Sequence, residues 1–173
     1  MKKRITDNLI KQYHSGYNHQ IKKWPVNPLN RGMKYIEKSH KSSKIADMGC
    51  GEAAISKKIR NVQSFDFFPI NNKIIKADID CVRLENGSVD VAVYCLSMLK
   101  TNVFFAIKEA NRILKDGGHL VIAEAKSRIF EDSFSRKIRN MGFLTVEMKE
   151  ISDVFYFLVF KRVSETTQKE DMI

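Results

Sequence analysis

A glycine turn set directly on the end of an apolar strand constrains this chain more than any other feature. The run Lys44-Ile45-Ala46-Asp47-Met48-Gly49-Cys50-Gly51-Glu52 places a carboxylate and two glycines there, and a second carboxylate, Asp66, follows at the next expected strand end. Gly49 and Gly51 let the chain turn sharply and bring main-chain N–H groups close to a ligand, while Asp66 stands where an acid grips a ribose diol. Residues 49–54 also satisfy the loose dinucleotide pattern; the lesser alternatives are that the glycines are ordinary turn residues and Asp66 a helix N-cap. Asp47 moves the balance. An anion just before the turn suits a cofactor with a cationic amino-acid end, such as S-adenosylmethionine, and sits poorly beside the pyrophosphate of NAD.

Around this turn the chain alternates between strand and helix patterns. Ile5, Leu9, Tyr13, Tyr17, Ile21 and Trp24 recur at helical spacing, which predicts one or two helices over 5–24, broken by Pro25 and Pro28. A short helix is expected over 31–39. Strands are expected over 44–48, 62–67, 74–77, 89–96 and 119–124, with helices over 53–60, 102–114 and 133–141. Asp116-Gly117-Gly118 is expected to stop the helix over 102–114. Two last strands, over 144–150 and 154–161, lie too close for a crossover helix and should pair as a hairpin. The result is an α/β fold: a mostly parallel sheet with one antiparallel strand from the C-terminal hairpin, helices on both faces, and additional N-terminal helices, as in Rossmann-like methyltransferases. Such a sheet gathers Asp47, Gly49, Asp66, Asp78 and Cys95 in one crevice beyond the strand ends.

A chain of 173 residues with 43% apolar side chains fits one domain with a single core. Cys50, Cys81 and Cys95 match no zinc spacing, so no metal is expected, and a reducing compartment is. No apolar run has the length of a bilayer span or a signal peptide core. The net charge of +10 is concentrated: residues 1–46 carry 11 Lys or Arg against Asp7 and Glu37. Such a segment reads as a grip on a polyanion, or as a solvated leader. The expected organisation is a basic helical segment over 1–43 closing over the cofactor site, a Rossmann-like domain over 44–162, and a disordered tail over 163–173.

Four blocks carry a resemblance. They are Tyr13-His14-Ser15-Gly16-Tyr17 with Lys22-Lys23-Trp24-Pro25; Ala46-Asp47-Met48-Gly49-Cys50-Gly51; Ser88-Val89-Asp90-Val91-Ala92-Val93-Tyr94-Cys95-Leu96-Ser97; and Glu109-Ala110-Asn111-Arg112-Ile113-Leu114-Lys115. Over residues 10–162 the chain resembles the ribosomal RNA-processing protein 8 (nucleomethylin) family of class I S-adenosylmethionine-dependent methyltransferases. The resemblance implies a nucleolar enzyme of the nucleus that methylates N1 of an adenosine in large-subunit ribosomal RNA during ribosome biogenesis. It implies cofactor contacts at His14, Gly49, Asp66, Asp78, Ile79 and Cys95, beside Asp47 and Gly51 from the turn. Phe67-Phe68-Pro69-Ile70 departs from the family's usual loop after the ribose acid.

Asp78 can accept from the adenine amine while Ile79 serves the ring. Cys95 stands where a cytosine-C5 enzyme keeps its nucleophile, but it follows Tyr94 rather than proline, and is read as lining the cofactor site. Cys95-Leu96-Ser97-Met98 lacks the Asn/Asp-Pro-Pro-aromatic arrangement that receives an exocyclic amine. A ring nitrogen with its own lone pair is the better target, and it needs alignment rather than a general base. Tyr94, Ser97, Met98 and Arg128 are the candidates for the base pocket, with Lys126 and Ser127 for flanking phosphates; Lys126 reads equally as loop polarity. Lys22, Lys23 and Arg31 are expected to bind RNA or the pre-ribosome. The competing readings are a non-catalytic RNA-binding assembly factor on the same scaffold and an NAD-dependent oxidoreductase.

Overall fold

A computed structural model describes residues 26–98, 103–129 and 134–164, together with Gly16 and Trp24. The expected N-terminal helices, apart from those two residues, fall outside the described residues, as do His14, Lys22, Lys23 and the tail from 165. Helix α1, Pro28–Ser39, starts on Asn27, whose side-chain oxygen accepts the Leu29 N–H at 3.0 Å; Pro28 opens the first turn, where its missing N–H leaves no bond unmade.

The strands are β1 Ile45–Met48, β2 Val62–Asp66, β3 Ile75–Lys76, β4 Val89–Cys95, β5 Leu114–Ala125, β6 Phe143–Glu150 and β7 Phe155–Arg162. Among the described residues they form one sheet in the order β3-β2-β1-β4-β5-β7-β6. The first five run parallel, and β7 alone is reversed, pairing antiparallel with both β5 and β6. Helices α2 Phe104–Ile113, α3 Lys126–Ile129 and α4 Phe134–Asn140 complete the described part. The order reverses between β1 and β4, which opens a crevice beyond their carboxyl ends.

Alternation along the strands divides the core in two. Ala46, Met48, Ala92, Tyr94, Leu120 and Ile122 pack with Ala106, Ile107 and Ala110 of α2 and Ile138 of α4. On the other face Ile45, Val91, Val93, Val121 and Ala123 pack with Met33 and Ile36 of α1.

Two expectations fail for backbone reasons. The segment 53–60 forms successive turns rather than a helix: Ala53 has φ +54°, and a short closed turn runs from the Ile55 carbonyl to the Lys58 and Ile59 N–H groups at 3.0 and 2.9 Å. Ile55 and Ile59 are buried all the same. Residues 116–118 do not cap a helix but belong to β5, whose Leu114 pairs with Val89 before a bulge restores register at Val91 and His119. There Gly117 takes φ +77°, and a Cβ on Gly118 would lie 2.9 Å from the Lys115 carbonyl and 3.0 Å from that of Asp90.

Candidate active site

The crevice is built on the end of β1. Asp47 lies between Ser64 of β2 and Val93 of β4, is 3% exposed, and its Oδ2 is buried without a hydrogen-bond partner among the described residues. Burial, followed by repulsion from Asp66, pushes its carboxyl up to about 7. Among the described residues nothing donates to that oxygen.

The turn that follows is held by its own bonds. The N–H groups of Gly49 and Cys50 both donate to the Phe65 carbonyl, at 2.8 and 2.9 Å, and that of Gly51 donates to Asp66 Oδ2 at 2.8 Å. These groups were expected to face a ligand; instead they lock the turn to β2. Glycine is needed at 49 for two reasons: φ is +75°, and a Cβ would meet the Ser97 Cβ at 2.4 Å. Asp66 Oδ1 accepts the Phe68 N–H at 2.8 Å, so the carboxylate is fixed from both loops and keeps lone-pair capacity for a diol. It caps no helix.

Asp78 forms a bridge with Cys81 and accepts the Asp80 N–H at 3.1 Å, while Ile79 is buried beside it. Across the crevice Cys95 ends β4, with its thiol raised far above its ordinary value by burial, then by Asp47 and Glu124. It stays protonated, which suits a wall residue and not a nucleophile. Leu96 follows at φ +53° and turns Ser97 back against Gly49; Ser97 Oγ is buried without a partner among the described residues.

Several expected pocket residues have other duties. Tyr94 sits one position off the crevice face: it is fully buried against α2 and its hydroxyl donates to the Ala106 carbonyl at 2.9 Å. Met98 is 2% exposed and packs in the same core. Arg128 donates to Glu124 at 2.8 Å, and Lys126 pairs with Glu150 at 2.6 Å and lies over the Tyr156 ring. Ser127 is exposed. Arg31 pairs with Glu147 and stacks on Phe157 at 4.5 Å, fastening α1 to the hairpin.

Sequence reasoning missed Glu124. Fully buried at the end of β5, it accepts the Met98 N–H at 3.2 Å and the Ala125 N–H at 2.8 Å, and so fixes the segment that walls the crevice. An acid closing an apolar strand, with Arg128 four positions on, was the signal that could have found it. At the same end of the sheet, Trp24 meets the ring of Phe155 edge-on at 4.8 Å, and Phe155 pairs with Ala125. Among the described residues no group of three His, Cys, Asp or Glu side chains is arranged for a metal, and no helix is long and apolar enough to cross a membrane.

Comparison with known proteins bears on this crevice. A family profile described as "Hypothetical methyltransferase" matches residues 3–173. Ribosomal RNA-processing protein 8 of Caenorhabditis elegans is 36% identical over 161 residues, 91% of this chain and 47% of that protein. The 25S rRNA (adenine(645)-N(1))-methyltransferase of Schizosaccharomyces pombe is 37% identical over 172 residues, 90% of this chain and 54% of that protein. The chain thus spans about half the length of the relatives it matches. Among solved structures, the Burkholderia thailandensis 1,6-didemethyltoxoflavin-N1-methyltransferase with bound S-adenosylhomocysteine superposes with a TM-score of 0.71 at 10% identity, covering 91% of this chain and 86% of that one, which is a likeness of fold.

Proposed function

The chain belongs to the methyltransferase family whose profile it matches, and on that premise we propose that it transfers a methyl group from S-adenosylmethionine to N1 of an adenosine in large-subunit ribosomal RNA. The observation that carries the reading is Asp47: a buried carboxylate oxygen with no partner, at the strand end where the fold binds its ligand. The α-ammonium of the cofactor is a donor of the right charge for it. Asp66 offers its remaining lone pairs to the ribose hydroxyls, Asp78 and Ile79 serve the adenine, and Cys95, Gly49 and Gly51 shape the wall. His14 and the segment 1–43 are assigned to closing the site, a role supported by Trp24 reaching Phe155 at the crevice end of the sheet.

Bound there, the cofactor supplies a sulfonium methyl group that a lone pair can take directly. Adenine N1 has that lone pair in the ring plane, so the protein need not remove a proton. Its work is to align the base and keep water out. Ser97 is the base-pocket candidate whose polar atom lies beside the glycine turn, and the Glu124–Arg128 pair steadies the segment that carries it. N1 lies on the Watson–Crick edge, so the adenosine must be unpaired to react. The choice of adenine N1 and of ribosomal RNA draws on the activity that the Schizosaccharomyces pombe relative is named for; the pre-ribosome as partner and the nucleus, within it the nucleolus, as location draw on the RNA-processing relatives.

The test is reverse transcription of large-subunit ribosomal RNA fragments incubated with the protein and S-adenosylmethionine. A cofactor-dependent stop at one adenosine is expected. RNA without any new stop contradicts the reading.

A further inference from the structure

We propose that RNA flanking the target adenosine binds as a single strand in a groove on the flank of α2 that begins next to the loop carrying Asp78; the inference rests on the RNA-methylation reading above. The groove encloses about 730 Å³ and is lined by Phe105, Lys108, Asn111, Arg112 and Met141, with Asp80 and the buried Glu109 on its wall. Asp80 stands two residues past Asp78, the residue proposed above to serve the adenine, so one end of the groove adjoins that loop.

Phe105, Lys108 and Arg112 recur on one side of α2, at steps of three and four, and together span about 10 Å, the length of about three stacked nucleotides. Phe105 is 58% exposed, although every other apolar side chain of α2 is buried or half-buried. An aromatic ring held open to solvent on a rigid helix is a platform on which a base of any identity can stack. The charges of the lining balance, Lys108 and Arg112 against Asp80 and Glu109, and the positive excess comes from the adjoining helix α4. Glu109 is neutralised by Arg112, which donates to both its oxygens at 2.7 and 2.8 Å, so the acid adds no net repulsion for a phosphate. Helix α4, which adjoins α2 through the Phe104–Phe134 ring contact at 5.9 Å, carries Arg136, Lys137 and Arg139 exposed and no acid. Asp80 suits an exocyclic amine of a base rather than a phosphate. An exposed stacking surface and adjoining cations match single-stranded RNA better than a folded protein surface.

The experiment measures fluorescence anisotropy of a labelled single-stranded RNA with the full chain. Phe105→Ala is expected to weaken binding about tenfold or more. The double variant Lys108→Ala with Arg136→Ala should weaken it and flatten the slope of log affinity against log salt by about 1.4, because two phosphates are no longer neutralised. In the methylation assay the loss should fall on KM for RNA. Calorimetric cofactor binding and the melting temperature serve as controls, and both should match wild type. RNA affinity equal to wild type in both variants overturns the inference. If wild-type protein binds RNA through these residues but methylates none, the methylation reading falls and the groove stands.

Discussion

Two buried acids, in two regions of the molecule, are treated in opposite ways. On the flank of α2, Glu109 accepts the Val82 N–H at 2.7 Å and is clasped by Arg112, three positions on, which also donates to the Val82 and Leu84 carbonyls. At the end of β1, Asp47 is as deeply buried, yet among the described residues it has no arginine and leaves an oxygen without a partner. Burying an unpaired acid is costly and evolution has an easy remedy, as Glu109 and Glu124 with Arg128 both demonstrate. An acid left unsatisfied next to a glycine turn is the basis of the proposal that Asp47 receives a cation from outside.

The largest effect should come from Asp47→Asn. Cofactor affinity should fall by about 2–5 kcal/mol, the range for removing one partner of a buried charge pair, as read by titration calorimetry. Its stability should move the other way. Because the folded state raises this carboxyl from its ordinary range to about 7, the folded protein binds the extra proton between those values, and stability falls as pH rises through that window. Above pH 7 the neutral variant, free of that penalty, should melt higher than wild type without cofactor. Wild-type cofactor affinity should rise with pH up to about 7, since the ionised acid is the form that receives an ammonium. Equal melting temperatures at pH 8 would blur the contrast with Glu109.

Glu109→Ala sharpens the comparison from the other side. Loss of the clasped acid should destabilise the fold by about 3 kcal/mol in urea unfolding, with cofactor affinity per folded molecule unchanged. A smaller effect is expected from Arg31→Ala: its partly exposed ion pair and ring contact are worth about 1 kcal/mol together, and the salt dependence of RNA binding should not change. A clear loss of RNA affinity in that variant would return Arg31 to the RNA-binding set.

Much of this was legible in the sequence because strands alternate. Ile45, Val91 and Val93 against Ala46, Ala92 and Tyr94 already separate the two faces, and the reversed β7 follows from the short link between the last two strands. The same parity should have moved Tyr94 away from the crevice. What escaped was decided by partners distant in sequence or by single torsions. Nothing in residues 53–60 announces that Ala53 will take a positive φ, and Arg31 finds Glu147 across 116 positions. Glycine at 49 was legible as a turn, but its close packing on Ser97 depends on how Leu96 bends the end of β4.

The central claim is that Asp47 receives the amino group of the cofactor. The direct measurement compares the affinities of S-adenosylhomocysteine and its analogue lacking the amino group, in wild type and in Asp47→Asn, at pH 8. Wild type should lose about 30-fold or more on the analogue, and the variant should scarcely distinguish the two ligands. Equal binding of both ligands by the wild-type protein would contradict the account.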